Sequence, residues 1–206
     1  NIDLDEATRR GIIVVNAPTA NTVSAAEHTI ALLLALARNI PQAHAVLKTG
    51  VWKRHEFQGV EVRGKTLGII GLGKVGSEVA KRARGLEMRV IAHDPFVSMD
   101  YAHKLQVELV PQDQLFKASD FITLHLPLTP STKGLIGSKL LALVKPAVRI
   151  INCSRGGLID EAALVQAIKE KRVAGAAIDV FPREPANESP FFNLDNVIVT
   201  PHLGAS

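Results

Sequence analysis

The stretch TLGIIGLGKVG, residues 66–76, joins an apolar run to the pattern G-x-G-x-x-G formed by Gly71, Gly73 and Gly76. Thr66 to Ile70 has the uninterrupted apolar character of a strand buried on both faces. Lys74 to Arg84 is patterned as an amphipathic helix closed by Gly85, and Met88 to His93 follows as a second strand. A glycine-rich turn by itself says little. Between a strand and a helix, with Asp94 standing 18 residues beyond Gly76 at the end of the next strand, it has the full context of a dinucleotide-binding turn. Gly71 permits the tight turn, Gly73 lets a pyrophosphate approach the backbone, and Gly76 lets helix and strand pack closely. The helix N-terminus attracts the phosphate charge. Asp94 can accept both ribose hydroxyls and would repel a 2′-phosphate, so the expected cofactor is NAD rather than NADP.

Outward from this unit, strand and helix patterns keep alternating. Residues 111–118 suit a short helix, Phe121 to His125 a strand and Val148 to Asn152 another. A helix from Glu161 to Lys171 with Asp160 as N-cap precedes strands at Ala176 to Val180 and Val197 to Thr200. The expected fold class is α/β, a doubly wound parallel sheet of the Rossmann type. Toward the N-terminus, residues 3–10 are helical in composition, and Ile12 to Val15 is a β-branched run ending at Asn16, Ala17 and Pro18. Ser24 and Glu27 fit a capping box for a helix reaching Arg38 that is apolar on nearly every side. Such a helix is either a core element or a homodimer interface, and in the interface reading Leu33→Glu would disrupt the dimer. Ile40 to Thr49 reads as a further helix, and the polar stretch Lys53 to Lys65 as a connection.

Composition narrows the function classes. The 206 residues are 47% hydrophobic and 21% charged, ordinary for a folded globular chain, and seven Phe, one Trp and one Tyr leave the core to aliphatic residues. The net charge of +4 comes from 24 basic and 20 acidic residues intermixed along the chain, which argues against a nucleic-acid partner. The longest apolar run, Ile30 to Ala37, is far short of the ~20 residues of a membrane span. Cys153 is the only cysteine, so no disulfide framework or zinc ribbon is possible within the chain. With no signal-peptide pattern at the start, a reducing, cytoplasmic location is expected, and no metal site.

Three polar residues follow strand ends: Arg155 after Asn152, Glu184 after Val180 and His202 after Thr200. In a parallel sheet those loops share the carboxyl edge with Gly71 to Gly76, so an arginine, a carboxylate and a histidine can converge beside a bound nicotinamide. Singly each has an ordinary explanation as a surface charge or a satisfied loop residue. Their coincidence on one edge favours a catalytic set. A tyrosine-lysine alternative fails, because the only tyrosine, Tyr101, has Leu105 four places on.

The segments Gly71 to Gly76, Asn152-Cys153-Ser154-Arg155-Gly156-Gly157, Asp179 to Pro185 and Pro201 to Ser206, together with Asn16-Ala17-Pro18, Ser24 to Glu27 and Trp52, resemble the D-2-hydroxyacid dehydrogenase family over the whole chain. The likeness is nearest to members acting on a phosphorylated hydroxy acid, 3-phosphoglycerate, at the entry to serine synthesis. It implies that Arg155 holds the substrate carboxylate, His202 exchanges the hydroxyl proton and Glu184 orients that imidazole. It also places Gly71, Gly73, Lys74, Val75, Gly76, Asp94, Leu126, Pro127, Cys153, Asp179 and Gly204 around NAD, Asn21 near the substrate cleft and Arg54 on a substrate phosphate. The resemblance further implies a homodimer or tetramer, and a second, substrate-binding lid domain that these residues do not contain. Residues 1–15 would be a lead from that domain and 16–206 the NAD-binding domain, a piece of a longer enzyme with little turnover of its own. Glyoxylate or hydroxypyruvate reduction, or an NAD-sensing module like the co-repressors that share the fold, are the alternatives.

Overall fold

In the computed structural model the described residues are 2–15 and 20–205; Asn16-Ala17-Pro18 lies outside them. Seven strands form one sheet in which every neighbouring pair is parallel. They are β1 (Thr66–Ile70), β2 (Arg89–His93), β3 (Glu108–Leu109), β4 (Phe121–Leu124), β5 (Val148–Asn152), β6 (Val173–Ile178) and β7 (Val197–Val199), in the order β3-β2-β1-β4-β5-β6-β7. The strand order reverses between β1 and β4, the place where such sheets open a ligand crevice. The doubly wound reading of the sequence is therefore correct.

Among the described residues there are eight α-helices, α1 (Leu4–Arg9), α2 (Thr22–Arg38), α3 (Ile40–Lys48), α4 (Lys74–Gly85), α5 (Met99–Lys104), α6 (Gln112–Ala118), α7 (Ser138–Leu141) and α8 (Glu161–Lys169). Strand side chains alternate between two cores because successive residues point to opposite faces. Ile70, Ile122, Leu124, Ile150 and Ile178 meet Leu115, Phe116 and Leu164 from α6 and α8 on one face. Leu67, Ile69, Phe121, Ile151 and Ala177 meet Leu33, Leu36, Val79 and Ala80 from α2 and α4 on the other.

Two expectations for α2 change. The helix starts at Thr22 with Asn21 as N-cap, so Ser24 lies inside it, no capping box forms, and Glu27 pairs with Arg82 of α4 at 3.0 Å. Leu33 is fully buried against the sheet within this chain, so it cannot mark a subunit interface. α2 and α3 meet at a 64° bend, and no single helix among the described residues is long and apolar enough to cross a membrane. Ile12 to Val15 joins no ladder, and Ile13 and Val15 are more than four-fifths exposed.

Candidate active site

Most of the candidate site follows the carboxyl ends of β1, β2, β4, β5, β6 and β7, with Asn21 added from the N-cap of α2. After β1 the chain turns sharply at Gly71, whose φ of +93° suits glycine, and a Cβ there would lie 2.5 Å from the His125 carbonyl oxygen. At Gly76 a Cβ would sit 2.1 Å from the Gly71 oxygen, whereas at Gly73 it would meet nothing within 4 Å. The middle glycine thus faces open space and the outer two pack backbone on backbone. Gly73 caps α4 without a side-chain hydrogen bond, leaving the helix N-terminus available to an anion. Asp94 is turned into this loop, its Oδ2 accepting the Leu72 N–H at 2.8 Å and its Oδ1 the Phe96 N–H at 2.9 Å. Each oxygen keeps a lone pair for a hydroxyl. These features fit the pyrophosphate and ribose of a dinucleotide.

Beside the turn lies a cleft of about 280 Å³ lined by Asn21, Val75, Leu126, Pro127, Cys153, Arg155, His202 and Gly204, together with His125 and Ser154. The structure thus gathers eight of the residues singled out from the sequence. The loop after β5 is shaped by Asn152, whose amide donates to the Arg155 oxygen at 2.9 Å while its own oxygen accepts the Ser154 N–H at 3.1 Å. Ser154 Oγ donates to the Leu126 oxygen at 2.7 Å, tying this loop to the one after β4. Gly156 permits a similar tie on the other side, since a Cβ there would lie 1.9 Å from the Phe181 oxygen. Arg155 is exposed at the rim, with Nη1 donating to the Ser154 oxygen at 2.6 Å.

Burial pushes the Cys153 thiol up to about 12, so it stays protonated and is a poor nucleophile. Burial likewise pushes the His125 imidazole down to about 4, keeping it neutral at physiological pH.

His202 and Glu184 form the third part of the site. His202 Nδ1 lies 2.7 Å from Glu184 Oε2, and Glu184 Oε1 accepts the Phe181 N–H at 3.0 Å. Partial burial works against charge on Glu184, but the bonds to His202 and Phe181 outweigh it, so its carboxyl lies below the usual range and is ionised at neutral pH. Behind the pair is a second cavity of about 310 Å³, walled by Phe181, Pro185, Phe192, Val199 and Pro201.

Two residues fall elsewhere than expected. Asp179, placed by resemblance in the cofactor groove, is fully buried behind the cleft wall and its carboxylate is taken up by the loop after β7. Arg54 lies in a single 3₁₀ turn outside the cleft, four residues before Gln58, whose oxygen accepts from Asn39 at the far end of α2. Sequence reasoning missed His28, whose Nε2 stands 3.2 Å from Asp179 Oδ1. The only signal was a lone histidine in an apolar helix. The donor atoms of His28, Cys153 and Asp179 come within 4.8 Å of one another, yet the protonated thiol and the occupied Asp179 oxygens suit hydrogen bonding better than a cation.

Comparison with known proteins agrees with this geometry. Residues 30–204 match the D-isomer specific 2-hydroxyacid dehydrogenase NAD-binding domain. The chain is 54% identical to D-3-phosphoglycerate dehydrogenase of Methanocaldococcus jannaschii and 55% identical to that of Archaeoglobus fulgidus, matching all of this chain but 40% and 39% of theirs. It therefore spans about two fifths of the length of these relatives. Among solved structures it superposes on D-lactate dehydrogenase from Escherichia coli with a TM-score of 0.89 at 35% identity, covering 100% of this chain and 65% of that one. A glyoxylate reductase from Paecilomyes thermophila superposes with a TM-score of 0.88 at 36% identity over 98% of this chain and 62% of that one. A glycine turn open only at its middle residue, a cleft at the reversal of strand order and a match along most of the chain point one way: the chain belongs to the D-isomer specific 2-hydroxyacid dehydrogenases, as their NAD-binding domain.

Proposed function

We propose that the protein carrying this chain is an NAD-dependent dehydrogenase of a phosphorylated 2-hydroxy acid, interconverting 3-phosphoglycerate and 3-phosphohydroxypyruvate. The observation that carries the dehydrogenase reading is the 2.7 Å His202–Glu184 pair at the rim of the cleft opened by the glycine turn. NAD, when bound, accepts the hydride from the carbon bearing the hydroxyl. With Nδ1 held by Glu184, His202 has Nε2 free to take the hydroxyl proton in oxidation and return it in reduction. Glu184, ionised, stabilises the imidazolium formed on the way. Arg155 offers its planar fork to the substrate carboxylate from the rim, and Asn21 lines the same cleft.

The phosphate on the substrate is supported by the names of the relatives at 54 and 55% identity, and not by Arg54, which lies outside the cleft. The full-length protein, assayed with NADH, should reduce 3-phosphohydroxypyruvate with a kcat/KM at least ~10-fold above that for glyoxylate or hydroxypyruvate. A preference for either unphosphorylated acid would reassign the substrate. Absence of turnover on all three, with NADH still bound, would favour the binding-module reading.

The residues we assign to NAD are Gly71, Gly73, Lys74, Val75 and Gly76 at the pyrophosphate, Asp94 at the ribose, and Leu126, Pro127, Cys153 and Gly204 along the groove. Asp94 must meet either two hydroxyls or a phosphate. Charge repulsion in a partly dry groove is worth ~1 to 2 kcal/mol or more, so the chain should bind NADH at least ~10-fold tighter than NADPH. Calorimetric titration checks this, and Asp94→Ala should narrow the gap. Equal affinities for the two cofactors in the unsubstituted chain would remove Asp94 from the role.

We assign residues 1–15 to a lead from a second domain. Ile2, Leu4, Ile12, Ile13 and Val15 are each more than half exposed, an apolar surface this sheet does not cover. Trp52, 79% exposed, and half-exposed Ile40 and Leu47 support a homo-oligomer in the same way.

A further inference from the structure

We propose that His28, on α2, is a positioning residue for the turn that carries His202, acting through the buried carboxylate of Asp179. The inference rests on the reading of His202 as the acid-base group. Asp179 has no exposed surface, so its charge needs donors from the protein. They come from the turn after β7. Oδ1 accepts Thr200 Oγ1 at 2.5 Å and the Leu203 N–H at 2.8 Å, and Oδ2 accepts the Gly204 N–H at 2.9 Å. The backbone oxygen of Asp179 accepts the His202 N–H at 2.8 Å. Residues 200–204 are thereby folded around one aspartate, and His202 is held at a φ of +55°, a region that a non-glycine residue occupies only when its surroundings dictate it.

The side from which α2 approaches is closed by His28. Its Nε2 stands 3.2 Å from Oδ1 and 3.4 Å from Thr200 Oγ1, and among the described residues it is the only basic side chain within ion-pair distance of Asp179. Its ring is 18% exposed, and it sits one helical turn beyond Ala25 and two beyond Asn21, both of which line the cleft. His28 Nε2 hydrogen-bonds Thr200 Oγ1, the hydroxyl that donates to Oδ1, and itself stands within ion-pair distance of that oxygen, so it backs the carboxylate directly and through Thr200; the carboxylate so held fixes where the Leu203 and Gly204 amides can sit. His202 is placed by that turn, and Glu184 holds its imidazole through Nδ1. Without the donor from α2, the carboxylate can rotate toward the space vacated and the turn follows. Misplacement of a reacting group by about 1 Å can cost ~10²-fold in rate.

The test compares His28→Leu with His28→Gln, whose Nε2 amide reproduces the lost donor, in the full-length protein. We expect His28→Leu to lower kcat by ~10-fold or more with KM for the hydroxy acid changed less than ~3-fold, and His28→Gln to recover kcat to within ~3-fold. In the same samples hydrogen exchange at the Leu203 and Gly204 amides should quicken by ~10-fold in the leucine variant while amides of β1 and β5 keep their protection. If the leucine variant does not fold, His28→Asn, one methylene shorter than glutamine, replaces it. Unchanged kcat and unchanged exchange at 203 and 204, or glutamine no better than leucine, would overturn the proposal. If exchange responds to His28 while His202→Ala keeps full turnover, the tie to the turn stands and the acid-base reading of His202 is what fails.

Discussion

Replacing His202 by alanine in the full-length protein should lower turnover by ~10²- to 10⁴-fold while leaving NADH affinity nearly unchanged, the loss typical of a missing general acid-base group. The side chain is 41% exposed, so its removal leaves no cavity in the core. Its positive φ is a separate matter, because alanine tolerates that conformation poorly. His202→Asn is the control, since asparagine is comfortable there yet cannot serve as the base; it should lose turnover to the same degree. Arg155→Ala should act differently, raising KM for the acid more than it lowers kcat, as expected of a group that binds substrate. Stopped-flow and steady-state assays with NADH titration separate these outcomes. An alanine variant with unchanged turnover, or one that loses cofactor and activity together, would make His202 a structural or cofactor residue.

Gly76→Ala should cost ~2 to 4 kcal/mol of stability and at least ~100-fold in NADH affinity, measured by urea unfolding and calorimetry. The added methyl would stand 2.1 Å from the Gly71 carbonyl oxygen and 3.3 Å from Ile69 Cγ2. Backbone cannot swing aside as a side-chain tip can, so α4 must lift from β1 and carry the turn with it. Gly73→Ala provides the contrast. Its methyl meets nothing within 4 Å, so stability should hold, and any fall in affinity would come from the ligand and not from the fold. A Gly76→Ala chain that binds NADH normally would show that the pyrophosphate does not depend on this turn.

The sequence was most legible where chemistry and pattern coincide. β1 and β5 begin and end at the residues read from it, because each is a short apolar run bounded by a glycine turn or a polar loop. β6 was read three residues late: its ladder starts at Val173 and stops at Ile178, so Asp179 lies beyond the ladder, where its carboxylate serves the next turn. α5, β3 and α7 went unread, being two to six residues long; α5 still carries a signal in Ser98, whose Oγ accepts the Tyr101 N–H. Residues directly after strand ends could be placed at the site from topology alone. His28 could not, because it arrives from a helix whose approach to the β7 turn depends on packing between elements far apart in sequence. Asp179 was picked out by motif, yet only its burial shows that its carboxylate serves the β7 turn.

The ties between loops also settle how this edge can move. Gly71 packs on His125, Ser154 bonds Leu126, Gly156 touches Phe181, Asp94 holds Leu72, and Asp179 grips the turn of His202. No segment among them is left as an independent flap. Mechanically the edge is stiff across its width, so a strain applied at one loop is passed to its neighbours and the rim of the cleft responds as one piece.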